Sequence, residues 1–571
     1  MSARQPYSGL KRRLVIAFDL GTTFSGISFK LLLRPKYTSY DPNIPTAVLP
    51  PSKNIVSVFA DFYRYLFDRV RTYICETNVS GDSIWRSVQG EIDFVLSHPN
   101  GWEGQQQSAM RKAAIMAGLV PDTPRGQERV SFVTEGESSF HYCISKGLMS
   151  EAIVMGRNVM IIDAGGGTVD LSAYNFTQAS PPKIAEIAES ACIFQGSVMV
   201  RQRAHAFLKG FFSIRCPNDV PVLIRPPEKL KSSRFGEKRY LDTICELFDQ
   251  TAKKRFKGDA DAMVKFSNML ADRDPSVGIR SGQIKLTRAQ LCSFFDPSVD
   301  DIIKAIEAQK TAAGSEKISV RLSVTSPSLS ELLARGWQTF CLVGGFAASE
   351  YLFSRLKDHV EEKGSNLFRP DEHTGKAVAE GAVSFYLDHY VSTRVAKLTY
   401  GTEGAIAYDP TKLSHLLRTD DAYTDLDGER YLPCAFYPII TKGTRVSVTT
   451  EFEEEFIKSS KKKGDLDHMR KEILCYRGDD VPEFIDESGM FLPATTEVLS
   501  TLCSITGVLS NVPTAVQHGP FGKYYNREYS VIITLGLTEL KAYAGWTVKK
   551  KKKRGPASVM YDDDFAVTVA D

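Results

Sequence analysis

The chain has 571 residues, 43% of them hydrophobic and 24% charged, with a formal net charge of +3. That length exceeds one ordinary core and favours two to four domains. The charge is too small to imply a nucleic-acid partner, and no apolar run is long enough to span a membrane.

From the N-terminus, polar residues 1–11 lack the pattern of a secretory segment. Residues 12–33 read as a strand, a tight turn Asp19-Leu20-Gly21-Thr22-Thr23 and a further strand. Residues 34–54 carry five prolines and read as loop. Lys30, Lys36 and Lys53 fall in the segment between the turn and the first helix, without motif context. Val56 to Thr77 places Val58, Phe59, Phe62, Tyr63, Leu66, Phe67 and Val70 at helical spacing, an aromatic stripe that reads as core packing. A strand Ile92–Leu96, a helix Gln105–Ala117 and a strand Val130–Val133 follow, the last just before Glu135.

The apolar run Val159–Ile162 enters Asp163-Ala164-Gly165-Gly166-Gly167-Thr168-Val169-Asp170. Beyond it, Ile184–Ala191 reads as strand and Val198–Phe212 as helix. Leu241–Phe256 is predicted as one helix, Gln283–Leu286 as a short strand and Arg288–Gln309 as a helix. Phe340–Val343 is a buried strand running into Gly344-Gly345, with helices Glu350–Val360 and Ala377–Tyr390 after it. This alternation implies α/β layers. From about residue 396 to 548, short strand-like runs between turns read as a small, mostly β module. Lys461–Lys463 and Lys549–Arg554 read as solvated, and 549–571 as a basic disordered tail.

Two strand–acid–glycine–threonine turns in one chain suggest two loops facing one phosphate chain. Glycine lets backbone N–H groups approach phosphate oxygens. Gly165, Gly166 and Gly167 do so on one side, and Gly21, Thr22 and Thr23 on the other, with Thr168 adding a hydroxyl. Carboxylates repel phosphate, so Asp19 and Asp163 make sense as ligands of an intervening Mg²⁺, through water. Asp170 suits the orientation or deprotonation of an attacking water. Gly344 and Gly345, after a strand and before a helix, suit close approach to a nucleoside. The ten cysteines form no CxxC pair and the nine histidines join no cysteine cluster. That argues against structural zinc and fits reduced thiols in the cytosol or nucleus.

At these residues the sequence resembles the seventy-kilodalton heat-shock chaperones of the actin-like ATPase superfamily, over roughly residues 12–395. Asp19 to Ser25 is similar to their first phosphate motif, Asp163 to Asp170 to their second, and Val343-Gly344-Gly345 to their adenosine motif. Ala377 to Ala382 is similar to their last connecting helix. The resemblance implies a two-lobed actin-like ATPase fold, α/β, with lobes at 12–182 and 183–395. It implies ATP or ADP with Mg²⁺ between the lobes. Catalytic roles fall to Glu135, Asp170 and Asp19, and an adenosine contact to Lys253. Unfolded protein clients and co-chaperones are the implied partners. Non-hydrolysing scaffold and sugar or metabolite kinase stand as alternatives.

The departures bear on activity. Glu135-Gly136 replaces a Glu-Pro step of the family, Ala348 replaces an arginine, and the lobe-tip segment that carries the family's catalytic lysine is shortened at 27–54. The C-terminal module has only a faint likeness to a peptide-binding β-sandwich, at Tyr437 to Thr444.

Overall fold

In a computed structural model, the described residues are 14–21, 28–35, 49–102, 104–150, 152–209, 235, 237–275, 278–315, 339–370, 374–447, 449–485, 499–536, 539–548 and 551–555. Helices and several sheets together make a mixed α/β chain. It divides into two compact units. The first runs through most of the chain to Tyr390; the second takes Trp102–Lys112 and the chain from Val391 on.

In the first unit, β1 (Leu14–Phe18), β2 (Ile92–His98) and β3 (Val130–Thr134) form a parallel sheet in that order. Every residue of β2 is buried, as a middle parallel strand covered on both faces requires. Helix α1 (Ile55–Thr77) starts at a capping box, in which Asn54 Oδ1 accepts the Ser57 N–H at 2.8 Å and Ser57 Oγ accepts the Asn54 N–H at 3.0 Å. Helices α2 (Gly81–Val88) and α4 (Pro124–Gln127) precede α5 (Glu135–Ser145), which Thr134 caps through the Glu137 N–H; α3 (Gly104–Met116), between α2 and α4 in the chain, falls mostly in the second unit's Trp102–Lys112 segment.

The strand expected after the first glycine turn is absent among the described residues. Ser28–Leu33 is instead a 3-10 helix. Its three-residue period puts positions i and i+3 on one side, and Lys30 and Leu33 are accordingly both buried.

A second sheet holds β4 (Asn158–Ala164), β5 (Val169–Ala179), β6 (Pro182–Glu186) and β7 (Ala191–Ile193). Next come α6 (Ser197–Lys209), α7 (Lys238–Gln250), α8 (Ala252–Arg255), a small sheet of β8 (Ala262–Lys265), β9 (Ile279–Arg280) and β10 (Gln283–Leu286), and α9 (Arg288–Ser315). The single helix expected over Leu241–Phe256 is two, broken at Thr251, whose φ of −122° and ψ of −79° are not helical. Strand β11 (Thr339–Val343) lies parallel to β4 and to β12 (Asn366–Phe368), giving the order β12-β11-β4-β5-β6 with β7 beside β5. Helices α10 (Glu350–Glu361) and α11 (Ala377–Asp388) close the unit. Its main core joins Met160, Ile162, Phe207, Phe248, Phe294 and Leu342.

From Val391 on, the second unit is built mostly of strands. Here β13 (Val391–Val395) pairs with β17 (Arg445–Ser447). One sheet runs β15 (Tyr423–Thr424), β16 (Arg430–Ile440), β14 (Thr399–Ala407), β19 (His468–Tyr476), β20 (Leu499–Val508). Another runs β18 (Glu451–Ser460), β22 (Gly522–Leu535), β23 (Leu540–Val548), β24 (Lys551–Arg554), with β21 (Ala515–Gly519) also on β22. Ile473, Cys503 and Ile505 of the first sheet share a core with Val531, Ile533 and Ala542 of the second.

The basic run is exposed, as expected, but Lys551–Arg554 form an edge strand rather than a loop or disordered tail. Its Lys552 and Arg554 pair with Glu453 and Glu451 of β18. Lysines on an edge strand also discourage further strand addition.

Candidate functional site

Four acids from the first unit gather where its strands end. Asp19 follows β1; Asp163 is next to last in β4; Asp170 is second in β5; Glu135 opens α5. Asp163 and Asp170 stand directly opposite each other across the antiparallel β4–β5 pair, so their side chains share one face of the sheet.

The turn between them is shaped by what lies behind it. The carbonyls of Gly165, Gly166 and Gly167 accept the N–H groups of Ser197, Val198 and Gly196 at 3.1, 2.8 and 3.2 Å. These bonds satisfy N–H groups at the start of α6 that have no partner within the helix. A trans peptide points its N–H opposite its carbonyl. The N–H groups of Gly166, Gly167 and Thr168 therefore point away from α6 as a set of three, an arrangement suited to an anion. The contact is so close that a Cβ on Gly196 would lie 2.4 Å from the Gly166 carbonyl oxygen.

Each acid is held by neighbours. Ser97 Oγ donates to Asp19 Oδ1 at 2.9 Å, and Ser139 Oγ to Asp163 Oδ2 at 2.6 Å. The Asn100 N–H donates to Asp170 Oδ1 at 2.6 Å. Asp170 Oδ2 is buried and has no hydrogen-bond partner among the described residues. Lys30 Nζ donates to Glu135, and both side chains are buried.

Burial raises the pKa of Glu135, Asp163 and Asp170. Asp163 reaches about 7, because burial and the charges of Asp170 and Asp19 outweigh the Ser139 hydrogen bond and Lys30. Burial works against the Lys30 ammonium, but Glu135, Asp19 and Asp170 outweigh it and hold the group above the ordinary lysine range.

Lys30 had no motif to mark it; burial and the bond to Glu135 place it in the cluster. Ser97, Asn100 and Ser139 were likewise missed as site partners, since hydroxyl and amide residues carry no spacing signal. Thr22 and Thr23 lie outside the described residues. The other predicted residues separate into two groups. Thr168 is buried, and its hydroxyl works against the burial that raises the Asp170 pKa. Gly344 has a φ of +90° and abuts Asp163: a Cβ there would lie 2.4 Å from Asp163 Oδ1. Gly345 begins the 3-10 turn Phe346–Ala348, and Arg369 donates to the Ala347 carbonyl at 2.9 Å. Lys253 sits on α8, where its Nζ donates to Asp249 and, at 3.1 Å, to the Ser197 carbonyl, one step behind the glycine turn.

Gly136, where the family carries proline, donates its N–H to Asn100 Oδ1 at 3.3 Å. A Cβ there would meet Ser172 Oγ at 2.3 Å. Neither that bond nor that space admits a proline ring.

Among the described residues no group of three His, Cys, Asp or Glu side chains converges closely enough to ligate a metal ion directly, and no helix is long and apolar enough to cross a membrane. The acids fit a hydrated cation rather than a dry metal cage: they crowd negative charge around one shared ammonium and leave a buried carboxylate oxygen unpaired. The nine described cysteines are free thiols. We find no family model and no curated protein that matches the chain.

Proposed function

We propose that the first unit binds ATP as its magnesium complex and hydrolyses it slowly, driving lobe motion in a chaperone-like protein. One observation carries this reading: acids from three strand ends and a helix start, all but Asp19 buried, act on Lys30, next to three N–H groups directed away from α6. Such crowding is costly unless a cation and an anion complete it.

In this reading the N–H groups of Gly166, Gly167 and Thr168 hold phosphate oxygens, with Gly21, Thr22 and Thr23 on the other side. Asp19 and Asp163 accept hydrogen bonds from water on the magnesium, and Ser97 and Ser139 fix their orientation. Bound magnesium supplies neutralisation of phosphate charge. Asp170 and Glu135 orient the attacking water, and a carboxyl raised towards neutrality suits proton acceptance at working pH. Lys30 keeps Glu135 in place and brings a positive charge to the phosphate side. Its burial beside Glu135 favours hydrolysis over a nucleotide-binding scaffold without turnover. Gly344, Gly345 and Lys253 belong to the nucleoside end. Client binding by the β-rich unit, with co-chaperones, rests on the resemblance.

The test is Mg·ATP binding by calorimetry, with single-turnover hydrolysis, for wild type, Asp19→Asn, Asp163→Asn, Thr168→Ala and Glu135→Ala. Wild type is expected to bind and turn over. Asp163→Asn should lose affinity, and Glu135→Ala should bind without turnover. A wild type that binds no nucleotide overturns the proposal.

A further inference from the structure

The aromatic stripe of α1 contains one polar atom that core packing does not explain. Tyr63 is 0% exposed, yet its hydroxyl has no hydrogen-bond partner among the described residues. Its ring stacks on Phe18 at 5.9 Å and meets the edge of Phe59 at 6.2 Å. Phenylalanine would keep both contacts without burying an unpaired donor, so the hydroxyl is a burden on the packing.

Its position says what could relieve that burden. Phe18 is the residue before Asp19, and the Asp19 charge reaches the phenol: burial, then Asp19, push its pKa upward. Asp19 Oδ1 accepts from Ser97 instead. The phenol is near enough to feel the carboxylate and does not bond it. Across the same cluster, Asp170 Oδ2 is another buried oxygen without a partner among the described residues. A donor and an acceptor are thus both unsatisfied around one set of charges.

We propose that Tyr63 is a ligand-contacting residue of this site, its hydroxyl donating to an oxygen of the magnesium–phosphate assembly held beside Asp19. The inference rests on the nucleotide reading above. That oxygen belongs either to a phosphate shared by ADP and ATP or to the terminal phosphate.

The test is Tyr63→Phe, read in two ways: thermal midpoint without ligand, and calorimetric affinity for Mg·ADP and Mg·ATP. Without ligand, the variant should melt at the same temperature or about 1–3 °C higher, since it sheds an unsatisfied donor. Its Mg·ATP affinity should fall about tenfold, the effect of one charge-assisted hydrogen bond. A matching loss for Mg·ADP assigns the oxygen to the shared phosphates; loss for Mg·ATP alone assigns it to the terminal one. Phe59→Leu, which loosens the same stack and removes no polar group, should lower the midpoint and leave affinity within about twofold. A Tyr63→Phe protein that melts lower and binds as tightly as wild type overturns the proposal and leaves the nucleotide reading standing. A wild type that binds no Mg·ATP removes both.

Discussion

Two sets of carboxylates, one in each unit, are held in opposite ways. In the second, each prominent acid has its own donors. Glu483 accepts from Ser414 at 2.6 Å, Lys412 at 2.9 Å and His415 at 3.2 Å, and Asp467 pairs with Arg527 at 2.8 Å. Burial pushes the Glu483 carboxyl upward, but its three donors outweigh it and hold the group down to about 2. In the first unit, Asp19, Glu135 and Asp170 all act on Lys30, and burial holds Asp163 up to about 7. Balanced pairs fix strands and loops in place. Crowded, buried acids cost stability unless a ligand completes them, which is what makes these acids the candidate site.

The hardest blow to this contrast would come from Lys30→Met. Taking the shared ammonium from the acids should slow single-turnover hydrolysis by about 10²–10³-fold, the usual scale for losing one preorganised charge-stabilising group. Hydrolysis at the wild-type rate would show that Lys30 is only a buried counter-ion.

Arg527→Met makes the reciprocal cut. Arg527 is 1% exposed and donates to the Leu466 carbonyl, Asp467 and Thr514. Its loss should cost about 3 kcal/mol in urea unfolding of the second unit and leave Mg·ATP affinity unchanged. A fall in nucleotide affinity would mean that the pair does more than hold strands.

The pH dependence should differ in sign. Asp163 has a folded pKa of about 7 against about 3.9 unfolded, so between those values the folded state keeps a proton that the unfolded state releases. Stability of the first unit in EDTA should therefore fall as pH rises from about 4 to 7. Asp163→Asn should reduce that slope, with Glu135 and Asp170 still raised by burial, and, at pH 8, raise stability by on the order of 2 kcal/mol, while losing stabilisation by Mg·ATP. Fluorescence melts across pH would show it, and a rising slope would contradict the burial argument.

Glu483 behaves the other way. Its carboxyl lies below the unfolded value of about 4.3, so its contribution is present above that pH and lost as pH falls towards about 2. Glu483→Gln should cost about 1 kcal/mol at pH 7, a modest figure because the group is part-exposed, and should flatten the acid limb of the second unit. An unchanged limb would show that the pairs around it carry no net stability.

Part of this was legible without coordinates. The apolar runs before Asp19, Asp163 and Gly344 are the strands β1, β4 and β11, because a buried parallel or mixed sheet demands such runs. The glycine turn was legible because its chemistry lies within six residues. The lysine was not. Lys30 is 105 residues from Glu135, and a 3-10 turn, rather than the expected strand, aims it inward. Gly136 looked like a lost proline; its bond to Asn100 and its contact with Ser172 show a different local solution. The Lys551–Arg554 run is exposed as its charge suggested, but its strand pairing and its glutamates come from elsewhere in the chain.

By itself the sequence determined most of the local elements and marked Gly165–Gly167 as a turn after a strand, since those follow from periodicity, glycine and strand ends. Only the tertiary structure decided which charges share a site. Coulomb attraction and desolvation depend on distance and burial, and neither follows from order along the chain. The same physics separates Glu483, held down by its donors, from Asp163, held up beside other acids.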